Sequence, residues 1–336
     1  MCWARRQSIS KLLKSKKLMK IWIENSSRPY NELSGKSLFC WKLAKELRSI
    51  GCEIVDGDSS ADISLNVIRI KHHKSKIKVL RIDGIWHDTA KNFKEKNKSL
   101  SKVIAQANGV VYQSHFSKKM ADKYLGKAKC KTIVIHNGDN IERIKTYRPK
   151  ILNSKYNVIT FSRWRPHKRL RDIVESFLLA GIKDSHLFVV GDLTNSGISA
   201  NDLKKYLSTK HVTFTRTLTQ DELVPLLRAC DCSIHLCWFD SCPNSVVEAL
   251  CAGVPVVCNN VGGTPELVQM AGGYICDVDK EYDMKPVDLY HPPKIDRLVV
   301  ARAITDCVKI RPTVNSRFLD IGRVALEYLR FFNEVS

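Results

Sequence analysis

The chain has 336 residues, 44% of them hydrophobic, with 16 Gly and 11 Pro. This is the make-up of a globular α/β protein long enough for two domains. No apolar run approaches the roughly 18 residues of a membrane span, and the opening MCWARRQSISKLLKSKKLMK has no apolar h-region of a secretory signal, so the expected setting is cytoplasmic. The formal net charge of +21 suggests an anionic surface, substrate or polymer as partner, beside the plainer reading of a solvated lysine-rich face.

Residues 1–18 are basic and offer no partner for a core, so they read as an N-terminal extension, with the ordered part beginning at Met19. KIWIEN (20–25) predicts the first strand, and SGKSLFCWKLAKELRSIG (34–51) a helix ending at Gly51. CEIVD (52–56), ADISLNVI (61–68) and KVLRIDGIW (78–86) follow as strands. SLSKVIAQA (99–107) is helical, GVVYQS (109–114) a strand, SHFSKKMADKYLG (114–126) a helix closed by Gly126, and KTIVIHNG (131–138) a strand. Tyr147-Arg148-Pro149-Lys150 reads as the hinge, because Pro and charges punctuate it. The alternation then restarts. YNVITFSR (156–163), HLFVVGD (186–192), HVTFT (211–215) and CSIHLC (232–237) predict strands; LRDIVESFLLAG (170–181), NDLKKYL (201–207) and QDELVPLLRAC (220–230) predict helices. Strands alternating with helices imply parallel sheets covered on both faces. NSRFLDIGRVALEYLRFF (315–332) is a terminal amphipathic helix.

Twelve cysteines are many, but no CxxC pairs with a second one. Cys230, Cys232, Cys237, Cys242, Cys251, Cys258 and Cys276 sit where Ala, Val or Ser would fit, so they read as reduced, buried thiols and not as a zinc site. Much of the positive charge lies before residue 150, in runs such as RIKHHKSKIK and KNFKEKNKSLSK. Few aromatics interleave these runs, so they carry no specific nucleic-acid signature.

Two segments point to chemistry. The first, FDSCPNSVVEALCAGVPVVCNNVGGTPELV (239–268), places Asp240 and Glu248 eight positions apart around a short polar loop and the start of an apolar helix. A helix that begins beside two acids and a Pro-Asn corner suits a phosphate or sugar at its N-terminal end. The second, FSRWRPHKRL (161–170), puts Arg163 at the carboxyl end of a strand and Lys168 at the mouth of a helix. Ligands of open parallel sheets bind in that crevice, and Arg can fork onto two phosphate oxygens while Lys acts as a point charge. Arg165, His167 and Arg169 read as further charge nearby.

The first segment resembles the signature of the retaining family-4 glycosyltransferases, which have the GT-B fold: an acid, seven residues, Glu, then Ala249, Gly253, Pro255, Val256, Val257 and the turn Gly262, Gly263, Pro265, Glu266. The first acid is more often Glu in that family; here it is Asp240, one methylene shorter. The likeness covers residues 157–270 closely and the first half loosely. It implies an α/β fold of two Rossmann-like domains facing each other across a cleft, with the terminal helix crossing back. The divisions implied are an acceptor-side domain at 19–148, a nucleotide-sugar domain at 149–315 and the returning helix at 316–336. The activity implied is hexosyl transfer from a nucleotide-diphosphate sugar to the hydroxyl of a glycan or glycolipid acceptor, with retention.

The resemblance also assigns roles. Arg163 and Lys168 would clamp the diphosphate, Asp240 would hold the transferred sugar, and Glu248 would accept from both ribose hydroxyls. Cys242, Pro243, Asn244 and Ser245 would border the donor, with Ser245 better read as a helix cap. Gly191 and Asp192 fit the strand end where base or ribose meets backbone. Ser34 and Gly35 resemble an acceptor-side glycine loop. His87, in RIDGIWHD (81–88), would project into the cleft by the donor sugar, with Asp83 or Asp88 to orient it. Glu266 reads as a cap of the next turn, and Asn137-Gly138 as a tight turn.

Asp56-Gly57-Asp58 and Asp277-Val278-Asp279 resemble the metal motif of another transferase fold but read better as turns. No cofactor and no essential metal are expected, since two cations and a helix dipole can balance the diphosphate. The expected partners are the sugar-nucleotide donor, a glycan or glycolipid acceptor, and an anionic membrane or other polyanion met peripherally through the basic half. The residues leave open a transferase acting on modified DNA bases, a nucleotide-sugar epimerase, and a catalytically silent nucleotide-sugar binder.

Overall fold

Two six-stranded sheets organise the chain, and every strand pairing in them is parallel. The architecture is that of a computed structural model, which describes residues 19–27, 35–57, 59–279 and 282–336. The extension 1–18, Ser34 and Asp58 of the sequence reading lie outside the described residues. Among the described residues no helix is long and apolar enough to cross a membrane.

The first sheet takes β1 (Lys20–Ile23), β2 (Glu53–Val55), β3 (Ile63–Val67), β4 (Ile77–Ile82), β5 (Gly109–Tyr112) and β6 (Lys131–Val134) in the order β2-β1-β3-β4-β5-β6. Its helices are α1 (Gly35–Ser49), α2 (Phe93–Ile104) and α3 (His115–Leu125), with the short α4 (Ile141–Thr146) leading out. Side-chain caps fix the helix starts: Asn92 accepts from the Glu95 N–H and Ser114 from the Ser117 N–H. The β3 strand is buried at all five positions, as a strand covered on both faces must be.

The second sheet takes β7 (Tyr156–Phe161), β8 (Ser185–Val190), β9 (Val212–Thr215), β10 (Cys232–His235), β11 (Val256–Asn259) and β12 (Gly273–Cys276) in the order β12-β11-β10-β7-β8-β9. Between them run α5 (Leu170–Ala180), α6 (Ala200–Leu207), α7 (Gln220–Arg228), α8 (Asn244–Cys251) and α9 (Thr264–Ala271); α10 (Arg297–Ile310) follows β12. Thr219 and Glu222 form a capping box that starts α7. Gly181 ends α5 in the left-handed conformation, with φ of 57°.

The last helix, α11 (Ile321–Val335), leaves the second lobe and packs on the first. Its Ile321, Val324, Ala325, Tyr328, Phe331 and Phe332 join Ile21, Phe39, Leu43 and Leu65 in one core. Each large apolar side chain so buried contributes roughly 1.5–3 kcal/mol. The approach is close at Gly109, where an added Cβ would lie 2.9 Å from Val335 Cγ1 and 3.0 Å from Phe331. The crossing itself is pinned by two backbone bonds, Asp139 N–H to Leu319 O (2.9 Å) and Ile321 N–H to Asp139 O (2.9 Å).

A strap of the second lobe also lies on the first. Val287 exchanges backbone bonds with His87 and Thr89 (2.9 and 2.8 Å), and the Tyr124 hydroxyl donates to Met284 O (2.5 Å). Met120, Trp238, Phe239 and Val261 form a small apolar cluster between the lobes, with Tyr282, Met284, Val287 and Leu289 packed against it.

Candidate active site

The carboxyl ends of both sheets open on a shared pocket of about 590 Å³, a size suited to a nucleotide-scale ligand. The second lobe supplies Arg163, Lys168, Gly191, Asp192, Asp240, Cys242, Pro243, Asn244, Ser245 and Glu248 to its wall. The first lobe supplies Gly35, Arg81, Asp83, Gln113 and Asn137. Of the candidate site residues read from the sequence, Gly35 and the ten of the second lobe are brought together; His87 is not.

The loop after β7 sets the two cations. The Trp164 indole is buried and donates to Val190 O (3.0 Å), which anchors the loop and leaves Arg163 exposed on the pocket side. Pro166–Lys168 make one 3-10 turn, and Arg169 follows at φ of 53° to start α5. The Lys168 ammonium then meets the Asp240 carboxylate at 2.6 Å. Burial works against both charges, but each stabilises the other. Lys168 is driven above its ordinary range by Asp240, and Asp240 is held below its own chiefly by Lys168.

Asp240 is positioned from behind by the Gly262-Gly263 turn. The Gly263 N–H donates to Asp240 O (2.8 Å), and a Cβ on Gly263 would lie 1.9 Å from Ser241 O. Gly262 has φ of 94°, open to glycine and strained for other residues. Gly191 is equally constrained: its φ is 127°, and a Cβ there would lie 2.0 Å from Ser162 O. Pro243 is the N-cap of α8, so Asn244 and Ser245 form its first turn at the pocket wall, where the helix dipole is positive.

Several expectations are corrected. Ser245 is not the cap; its Oγ lies 3.4 Å from His235 Nδ1. His87 is stacked on Phe239 with ring centroids 3.6 Å apart and its Nδ1 3.2 Å from Ile85 O. It is thus held between the lobes and away from the pocket wall, and burial lowers its pKa. Asp83 pairs with Arg81 (2.7 Å), and Asp88 with Lys91 (3.6 Å) and the Ala90 N–H, while the Asp88 charge partly opposes the effect of burial on His87.

Arg169 and His167 add no free charge to the site. Arg169 is fully buried in a two-pronged pair with Asp279 (2.9 and 2.5 Å), which also accepts from Asn259. Asp279 is therefore a buried counter-ion instead of a turn residue. His167 stacks on Tyr290, and burial with the neighbouring Lys168 ammonium lowers its pKa to about 3, so it is neutral.

Asn137 was read as a turn residue, yet residues 135–138 form no turn. Its side-chain amide donates to Cys242 O (3.1 Å) and Asn244 Oδ1 (2.8 Å) while its oxygen accepts from Arg81 (2.6 Å). Glu266 also reaches across: its carboxylate accepts from the His115 and Phe116 N–H groups (2.8 and 2.6 Å), capping α3 of the other lobe. Nothing in the sequence marks Arg81 or Gln113 as pocket residues, because the groups they meet at Asn137 and Asp83 lie 56 and 30 positions away. An Asn-Gly pair directly after a strand was the one signal available for Asn137.

The described cysteines are all free, and all but Cys130 are buried. His235, Cys237 and Asp240 bring metal-ligand atoms within 4.8 Å of one another, and the cation that faces this trio is Lys168.

Comparison with known proteins bears on the fold and on the second lobe. Residues 143–285 match the family described as Glycosyl transferases group 1. The N-acetyl-alpha-D-glucosaminyl L-malate synthase of Bacillus anthracis is 31% identical over 130 residues, 38% of this chain and 34% of the relative. The match thus spans about a third of that protein's length. Among solved structures, HepE of Anabaena in complex with UDP superposes with a TM-score of 0.63 at 15% identity, covering 94% of this chain and 100% of that one. Sucrose-phosphate synthase of Thermosynechococcus elongatus gives 0.63 at 14% identity, covering 95% and 99%. At such identities the likeness is one of fold. The segment 143–285 thus resembles a group 1 glycosyl transferase domain, and the two-lobed fold that carries it is GT-B.

Proposed function

We propose that the chain transfers a hexosyl unit from a nucleoside-diphosphate sugar to an acceptor hydroxyl, with retention of configuration. The observation that carries this reading is the convergence of Arg163, Lys168, Asp240 and Glu248, from two separate sequence segments, on one pocket.

Charge neutralisation of the departing diphosphate is the main catalytic contribution in this account. Arg163 and Lys168 meet the phosphate oxygens, and the N-terminus of α8 adds its dipole. No divalent ion is given a role. The leaving group departs with its negative charge held by these groups, an oxocarbenium-like state forms at the sugar, and the acceptor hydroxyl attacks from the same face, its proton passing to the departing diphosphate oxygen. Asp240 accepts from hydroxyls of the transferred sugar, and Glu248 from those of the ribose. Gly191 lets the nucleoside approach backbone, and the first lobe, with Gly35 and the Arg81–Asn137 pair, orders the acceptor side. UDP, present in the complex of HepE, is the first nucleotide to try. The basic first half suits an acceptor at an anionic surface on the cytoplasmic face of a membrane.

The test is a transfer assay with sugar nucleotides of the common bases and a panel of glycan and glycolipid acceptors. Product anomeric configuration is read by NMR. A product with the donor's configuration supports the reading. An inverted product removes retention, and an isomerised sugar nucleotide formed without acceptor removes transfer.

A further inference from the structure

Glu248 lines the main pocket on one side and, on the other, a closed crevice with no room for water, shared with Phe39, Lys42, Asp139 and Val247. Its Oε1 lies 3.7 Å from Lys42 Nζ, and the same ammonium lies 2.7 Å from Asp139 Oδ2. All three side chains are largely buried, at 11% exposure for Lys42, 7% for Asp139 and 17% for Glu248. One cation therefore serves two carboxylates in a setting where unpaired charge is costly.

The three groups come from different parts of the fold. Lys42 sits in mid-α1 of the first lobe, and Glu248 on α8 of the second. Asp139 lies at the crossing, with its backbone bonded to Leu319 and Ile321 at the root of α11. We propose that Lys42 is a positioning residue for nucleoside binding: shared between Asp139 and Glu248, it orients the Glu248 carboxylate and ties the first lobe to the nucleoside side of the pocket. This inference rests on the reading that Glu248 meets the ribose.

The electrostatics support it. Burial pushes the Glu248 carboxyl up, Lys42 opposes the rise and Asp139 adds to it, leaving Glu248 at about 7. The charged groups that act on it are Lys42 from α1 and Asp139 from the segment before α4, with Arg81, Asp83, Arg163, Lys168, Asp192 and Asp240 elsewhere on the pocket wall. Cys251, one turn along the same helix, has a thiol that burial keeps neutral. A carboxylate accepts from two hydroxyls, whereas a protonated acid has one oxygen committed as donor. Affinity for a nucleoside should therefore rise as pH passes upward through about 7.

The experiment is titration calorimetry of the full chain with UDP, GDP and ADP from pH 6 to 9, on wild type, Lys42→Met, Lys42→Arg and Asp139→Asn. Thermal unfolding of each is followed in parallel. For Lys42→Met the expected result is a loss of about tenfold or more at pH 7, with the midpoint of the pH dependence moved to alkaline pH. Lys42→Arg retains most of the affinity. Asp139→Asn moves the midpoint the other way, since a competing carboxylate is gone. A merely structural role would lower the unfolding temperature without moving the midpoint. Lys42→Met and Asp139→Asn proteins with the wild-type midpoint and affinity would overturn the proposal. Absence of binding by the wild type to all three nucleotides would instead overturn the donor-site reading, and the positioning role with it.

Discussion

Replacing Lys168 by Ala removes one of the two pocket cations and leaves the Asp240 carboxylate, 2.6 Å away, without its partner. Two effects follow, and they can be separated. Breaking a buried ion pair from one side costs about 3–5 kcal/mol. The low end applies, because Lys168 is 14% and Asp240 24% exposed and water can reach the survivor. A loss of about 3 kcal/mol lowers the unfolding temperature by about 4 °C in a protein of this size. The catalytic effect is distinct: removing a preorganised group from a developing charge typically costs on the order of 100- to 1000-fold in kcat. The double variant Lys168→Ala/Asp240→Asn tells them apart. It has no unpaired charge, so most of the stability returns, while transfer stays lost because the diphosphate still meets only Arg163. The assay is calorimetric unfolding together with the rate of nucleoside diphosphate release in the presence of acceptor. Transfer by Lys168→Ala within about threefold of wild type, or recovery of transfer in the double variant, would refute the reasoning.

Three further predictions concern the frame of the site. Asp279→Asn leaves the fully buried Arg169 guanidinium without its counter-ion and should cost about 3–5 kcal/mol of stability, measured by denaturant unfolding; an unchanged midpoint would contradict it. Gly191→Ala brings a Cβ to 2.0 Å from Ser162 O at φ of 127°, so nucleotide affinity should fall at least tenfold, a loss of about 1.4 kcal/mol; wild-type affinity would show that the β8 end is looser than described. Burial raises the Glu266 pKa, but His136 and the His115 and Phe116 N–H groups outweigh it and hold it below the usual carboxylate value. Its stabilising bonds across the lobes are thus present above that value and weaken as pH falls through the lowered one. Glu266→Gln should flatten this part of the acid limb of the unfolding temperature against pH; an identical limb would rule the contact out.

Much of the fold was legible because parallel strands buried on both faces write themselves as short apolar runs, and ISLNV, GVVY and CSIH do so. Arg163 with Lys168 and Asp240 with Glu248 were visible as local pairs, since each pair spans one strand-to-helix or loop-to-helix step. That the pairs share a pocket follows from β7 and β10 being neighbours in the sheet, an order the alternation alone does not specify. The groups that join the lobes were hidden for a different reason. Lys42, Asp139, Asn137 and Glu266 are single polar residues with partners 97 to 150 positions away; nothing local marks Lys42 or Asp139, and the local signal at Asn137 and Glu266 points to a turn and not to the other lobe. Arg169 was misread for the same reason: beside Lys168 it looks like one more surface cation, and Asp279, 110 positions on, shows it to be interior. The strap around Tyr282–Leu289 has apolar residues with no regular period, so no pattern announced that it would lie on the first lobe.

The central claim, that two cations and two carboxylates of this pocket together hold a nucleoside-diphosphate sugar, with Arg163 on the phosphates and Glu248 on the ribose, is tested most directly by titrating UDP, GDP and ADP into the wild type and into Arg163→Ala and Glu248→Ala. The account predicts that one nucleotide binds the wild type, with affinity reduced at least tenfold by either substitution, through the phosphates in one case and the ribose in the other. Tight binding that survives both substitutions, or fails for all three nucleotides in the folded wild type, would contradict it.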